Sequence, residues 1–89
     1  MSENDLQDRL FRFALDVIKM LITLKRSADS NVINTQLIKS SPSSGANYEE
    51  AQAAVSRTDF GYKISISLKE MRESNYWLRL LGELYKQNI

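Results

Sequence analysis

The sequence predicts an all-α protein: an up-and-down antiparallel bundle of long helices that works as an oligomer. Three observations predict it. Apolar residues recur at three- and four-residue spacing along nearly the whole chain. No internal repeat or Gly-rich linker interrupts them, and the one biased run is the serine patch Ser40–Ser44. The apolar arcs are also wider than three helices can cover among themselves, which calls for further polypeptide, either a fourth helix or a neighbouring subunit. The 89 residues form one domain, 1–89. A chain that short buries only roughly 60–65% of its unfolded surface, so association adds burial it needs.

The first helix is expected over about 5–25. Leu6, Leu10, Phe13, Ala14, Val17, Leu21 and Leu24 make one stripe, and Phe11, Leu15, Ile18 and Ile22 make a second beside it. Asn4 or Asp5 would cap it. An apolar arc much wider than about 100° requires at least two neighbours. The polar remainder carries Asp5/Arg9, Asp8/Arg12 and Arg12/Asp16 at four-residue spacing, pairs of about 0.2–0.5 kcal/mol each that would neutralise these bases. Lys25 and Arg26 would complete its C-terminal end, with Asp29 or Ser30 capping the next helix.

The second helix is expected over about 31–55, with Ile33, Leu37, Ser41, Ser44, Tyr48, Ala51 and Val55 on one face. Small residues at its centre permit close helix approach. Pro42 removes a backbone hydrogen bond at a cost of about 3 kcal/mol, so a kink near 42 is expected, with a split into 31–40 and 46–55 as the alternative. Ser56-Arg57-Thr58-Asp59 has the form of a capping box and opens the third helix, over about 57–87. There Phe60, Ile64, Leu68, Met71, Leu78 and Tyr85 share a face in line with Asn75 and Gly82, while Ile66, Trp77, Leu81 and Leu84 form a flank.

Composition narrows the chemistry. With no Cys and no His, the chain has no disulfide, no thiolate or imidazole metal ligand, and no Ser-His or Cys-His nucleophile. No catalytic residue, metal or cofactor is expected, nor a small-molecule substrate. Glu49, Glu70 and Glu73 are the conceivable acid-base groups, and nothing marks a cleft around them. The stretch from Phe11 to Leu24 is interrupted by Arg12, Asp16 and Lys19 and is too short to span a membrane. The acidic start and the absence of Cys favour a cytoplasmic location. Twelve basic against eleven acidic residues give a formal charge of +1, with residues 57–89 holding six bases to four acids. The last third leans basic.

The segments Gln36-Leu37-Ile38-Lys39-Ser40, Ala46-Asn47-Tyr48-Glu49-Glu50-Ala51, Ser56-Arg57-Thr58-Asp59-Phe60 with Lys63, and Leu68-Lys69-Glu70-Met71-Arg72-Glu73 with Tyr76-Trp77-Leu78 together resemble the four-helix-bundle proteins encoded in bacterial 23S ribosomal-RNA intervening sequences. The resemblance covers roughly residues 6–85. It implies a four-helix pattern of which this chain supplies three helices, a ring of subunits, commonly a pentamer, and kinship with the accessory protein of diversity-generating retroelements, which binds a reverse transcriptase and nucleic acid. Ser44, Gly45 and Pro42 depart from the family pattern, and the retroelement protein is markedly basic where this chain is not.

Lys69, Arg72, Arg79 and Lys86 line one side of the third helix with Tyr76 among them, an arrangement that can meet phosphates and stack on a base. The competing reading is a solvated face neutralised by Lys69/Glu73 and Arg79/Glu83 pairs, which suits an isolated subunit, whereas a ring would repeat the stripe. Phe11, Leu15, Ile18, Ile22, Trp77 and Leu81 are the expected oligomer interface, Trp77 serving as an anchor more readily than as a stacking base reader. Asn47 and Glu50 offer too few oxygens for a metal cage and are expected to be polar contacts fixing helix register. The function expected is a non-enzymatic oligomeric accessory or scaffold protein engaging RNA, DNA or a nucleic-acid enzyme such as a reverse transcriptase. The alternative is a protein–protein interaction module without nucleic-acid binding.

Overall fold

Three helices make up the computed structural model, which describes residues 5–87: α1 (Asp5–Thr23), α2 (Ala28–Gln52) and α3 (Arg57–Gln87). At 1.5 Å per residue the 31 residues of α3 reach about 46 Å, which sets the longest dimension of a body measuring 49 × 25 × 16 Å.

The helix ends follow from local hydrogen bonding. Thr23 closes α1 by donating its hydroxyl to the Met20 carbonyl at 2.7 Å. Lys25 and Arg26 therefore lie beyond the helix in the connection and do not complete its last turn. Asn4, the alternative cap, falls outside the described residues. The cap of α2 is Ser27 rather than Asp29 or Ser30, so α2 starts earlier than its apolar spacing indicates. The Ser27 hydroxyl accepts the Ser30 N–H at 3.2 Å and the Ser30 hydroxyl accepts the Ser27 N–H at 3.0 Å, a reciprocal capping box. At the start of α3 the Ser56 hydroxyl accepts the Asp59 N–H at 3.0 Å. Asp59 reaches back to the Val55 N–H at 3.4 Å, one residue beyond the usual partner.

α2 runs without interruption through Pro42, so the split into two helices does not occur. Side chains around the proline supply donors to nearby carbonyls. Ser43 donates to Lys39 at 2.7 Å, Ser44 to Ser41 at 2.9 Å, and the Asn47 amide to Ser43 at 2.8 Å. The helix does stop at Gln52, short of the expected 55, which leaves Val55 in the connection and 93% exposed instead of on the buried face.

α2 is the central element: its backbone lies along both α1 and α3, while α1 and α3 meet only through side chains at one end. The apolar core gathers at one end, where Val17 and Leu21 of α1, Ile33 and Leu37 of α2 and Leu81 of α3 are buried together, backed by Met20, Leu24, Trp77, Leu78 and Tyr85. The Tyr85 hydroxyl donates to the Lys25 carbonyl at 2.7 Å and ties the α1–α2 connection to the end of α3. Farther along α1, a Cβ placed on Gly45 would sit 3.4 Å from the Leu10 Cβ, so a large side chain there would push α1 away.

Away from that end the α2–α3 contact is built from serines. Ser40, Ser41 and Ser44 of α2 face Ser67 and Ser74 of α3, all buried. The Ser67 hydroxyl donates to the Ser44 carbonyl at 2.6 Å. The Ser74 and Ser40 hydroxyls share a hydrogen bond of 2.9 Å. The Lys63–Glu50 ion pair, 2.8 Å, closes the seam at the connection. The partners 40/74, 44/67 and 50/63 show that α2 and α3 run in opposite directions. The face of α3 turned to α2 thus centres on Ser67, Ser74 and Leu81, with Ile64, Met71, Leu78 and Tyr85 of the expected apolar face half-buried beside them. Phe60 and Leu68 are left exposed.

Close packing at the seam gives a direct expectation. Ser74→Leu should lower stability by roughly 1–3 kcal/mol through overpacking, and Ser65→Leu on the exposed side of α3 should change it by no more than about 0.5 kcal/mol. Urea unfolding midpoints of the two variants measure the difference.

Candidate nucleic-acid interface

A helix presents residues three, four and seven apart on one side. With Ser67, Ser74 and Leu81 turned toward α2, the same period places Lys69, Arg72, Tyr76, Arg79 and Lys86 on the opposite side of α3, and all five are exposed. From Lys69 to Lys86 the stripe runs about 26 Å. The structure therefore brings all five residues together on one outward face.

The neutralising pairs expected on that face do not close. Among the described residues the ion pair within 4.0 Å is Lys63–Glu50, and neither Lys69/Glu73 nor Arg79/Glu83 is joined. The same holds for Asp5/Arg9, Asp8/Arg12 and Arg12/Asp16 on α1. Exposed pairs of this kind gain so little over hydration that long side chains need not stay together. Arg79 instead lies with its guanidinium carbon 5.9 Å from the Tyr76 ring centroid, within cation–π range. The Tyr76 and Trp77 rings meet edge to face, 5.1 Å between centroids and 81° between planes.

Beside the stripe, Gln36 of α2 joins Arg72, Glu73, Tyr76 and Trp77 of α3 around a cleft of about 350 Å³. Sequence reading missed Gln36 and Glu73 as cleft residues. Both are ordinary polar residues whose juxtaposition depends on the helix register set by the serine seam.

A second surface lies on α1. Leu10, Phe11, Ala14, Leu15 and Ile18 form an apolar groove with Pro42, Gly45 and Ala46 of α2, and Glu49 stands at it. Phe11 is 65% and Ile22 74% exposed, so the second stripe of α1 faces outward. The other two members of the expected interface lie elsewhere. Leu81 is buried at 3% exposure and has no surface left to offer a second copy, because α3 is rotated toward its serine face. Trp77 is partly buried against the same core.

Of the two polar residues expected to fix register, Glu50 does cross to α3 through Lys63, but Asn47 bonds within its own helix, to the Ser43 carbonyl. Among the described residues no three acidic side chains gather as a metal site, and no helix is long and apolar enough to cross a membrane.

By fold and surfaces this is an all-α three-helix protein with a cationic, aromatic helix face on one side and an open apolar face on another. The sequence model of the 23S rRNA-intervening sequence proteins matches residues 2–86, and the chain belongs to that family. No curated protein matches it. Among solved structures it is similar to a protein of unknown function from the S23 ribosomal protein family of Bacteroides thetaiotaomicron VPI-5482. The two are 37% identical, the match covers 88% of this chain and 72% of that one, and the TM-score is 0.79.

The Lys63–Glu50 pair supplies a pH expectation. The hydrogen bond from Lys63 to the Glu50 carboxylate, reinforced by its charge, raises the Lys63 pKa above the usual lysine value. A raised lysine pKa means that the pair's contribution is present through neutral pH and is lost only as alkaline titration passes the raised value. Glu50→Gln should return the Lys63 titration toward the ordinary lysine range, as followed by NMR at the lysine side chain. An unchanged titration would show that the pair does not persist in solution.

Proposed function

We propose that this protein is a non-enzymatic oligomeric accessory or scaffold subunit that engages nucleic acid, or a nucleic-acid enzyme such as a reverse transcriptase, through the outer face of α3. The observation that carries this reading is the stripe Lys69, Arg72, Tyr76, Arg79 and Lys86, outward-facing and not closed by ion pairs among the described residues. With a net charge of only +1, one copy offers a weak electrostatic grip on phosphates. Assembly repairs that weakness, since each added subunit repeats the stripe and turns later contacts intramolecular. The apolar face of Phe11, Leu15, Ile18 and Ile22 is the surface we assign to assembly. Subunits in the up-and-down bundle pattern of the family, joined as a homo-oligomer such as a pentamer and working in the bacterial cytoplasm, fit this account, as does an accessory role like that in diversity-generating retroelements.

A second reading, a protein–protein interaction module without nucleic-acid binding, is favoured by the same exposed apolar face, whose Phe11 and Ile22 could seat a partner of another kind.

Anisotropy titration with structured RNA and DNA at graded salt separates the two. Binding should weaken linearly with log salt, and Arg79→Gln should reduce that slope by about 1. Absence of binding even at low salt would overturn the nucleic-acid reading and leave the interaction module.

A further inference from the structure

We infer that the cleft bounded by Gln36, Arg72, Glu73, Tyr76 and Trp77 receives an unpaired nucleobase, so that α3 grips single-stranded or looped nucleic acid in preference to duplex. This rests on the nucleic-acid reading of α3 and specifies its ligand.

Tyr76 stands as a fin between two hollows. On one side is the cleft with Arg72 and Trp77, and on the other is a shallow depression formed with Arg79, Leu80 and Glu83. Tyr76 is 52% exposed, yet its ring is held by the T-shaped contact with Trp77 and by the Arg79 guanidinium. An aromatic ring already held in place loses little freedom when a base stacks on it. Trp77 is in turn anchored because it packs against the apolar core.

The polar groups of the cleft suit the edge of a base. Gln36 carries both a donor and an acceptor, Glu73 accepts and Arg72 donates. Among the described residues none of the three has a hydrogen-bond or ion-pair partner, so all can turn to a ligand. In a duplex those base edges are paired and the base faces stacked. An unpaired base presents both. Arg72 belongs to the cleft and to the cationic stripe alike, and Lys69 about one turn before it and Arg79 about two turns after it are placed to meet the phosphates flanking the inserted base. The charge balance points the same way. A chain of net charge +1 gains little from long-range attraction to a duplex backbone, so short-range stacking must supply much of the affinity.

The sequence contains one tryptophan, at the cleft, and its emission reports occupancy directly. The full chain is titrated at low salt with a mixed-sequence 12-nucleotide RNA, the same sequence as DNA, and each annealed to its complement, following both anisotropy and Trp77 emission. The inference predicts that single strands change the emission and bind about tenfold more tightly than the duplexes. Tyr76→Ala should lose roughly tenfold in single-strand affinity, Tyr76→Phe should retain it, and Lys86→Ala should weaken single strands and duplexes alike. Circular dichroism checks that each variant stays helical. If RNA alone shows the effect, the ligand is RNA, and if both strands do, the cleft reads the base without the sugar. Equal affinity for duplex and single strand with unchanged Trp77 emission would overturn the cleft while leaving the α3 interface standing. No binding of any of the four probes would overturn both.

Discussion

The rest of this structure depends on the close approach of α2 and α3 across a seam of serines. Hydroxyls are small enough to bring two helix backbones together, and each can be satisfied locally. Ser67 reaches the Ser44 carbonyl, and Ser74 bonds both Ser40 and the Glu70 carbonyl one turn back on its own helix. The seam is not fully paired, since the Ser41 hydroxyl and the Asn34 side-chain oxygen are buried without a partner among the described residues. Hydrogen bonds of this kind contribute modestly, about 0.5–1.5 kcal/mol net. Their larger effect here is geometric, because they fix which side of α3 turns inward.

Once Ser67 and Ser74 occupy the inner side, the large apolar residues of α3 cannot all be there. Leu81 and Leu78 still reach the core at one end, while Phe60 and Leu68 remain on the surface. On α1 the first stripe meets α2 and the second faces outward. The molecule is consequently thin and surface-rich: its accessible area is 6543 Å², against roughly 5,300 Å² for a typical folded monomer of this mass. The same rotation of α3 places its cations and Tyr76 on the side away from α2 and puts Gln36 beside Trp77. The seam and the cationic face of α3 are thus consequences of one packing choice, while the open stripe of α1 follows from how α1 lies against α2.

Three helices were legible from apolar spacing because long periodic runs admit few other readings. Their ends were less so. The Ser27–Ser30 capping box was overlooked because α2 opens on polar residues, ahead of its first apolar one. Pro42 suggested a break because its missing N–H is visible in the sequence, whereas the packing that carries α2 through it between α1 and α3 depends on the fold. The inward face of α3 was legible in its apolar part, Ile64, Met71, Leu78 and Tyr85, but not in its serines: Ser67 and Ser74 stand seven residues apart and count as polar in any search for apolar periodicity. Without the two serines Leu81 reads as part of a flank and not as the continuation of a buried line. The cationic stripe was readable, since it follows from helical period alone. The cleft was not, because Gln36 and the α3 residues are some 36 positions or more apart in sequence and meet only through the seam's register.

The central proposal is that the thin three-helix packing leaves the Phe11–Ile22 face of α1 open for other copies of the chain to cover. Light scattering coupled to size-exclusion chromatography of the full chain at micromolar concentration tests this most directly. The account predicts a mass of at least two copies of the 10.2 kDa chain. A well-folded particle of 10.2 kDa across that range, with the Phe11–Ile22 face left in water, would contradict it.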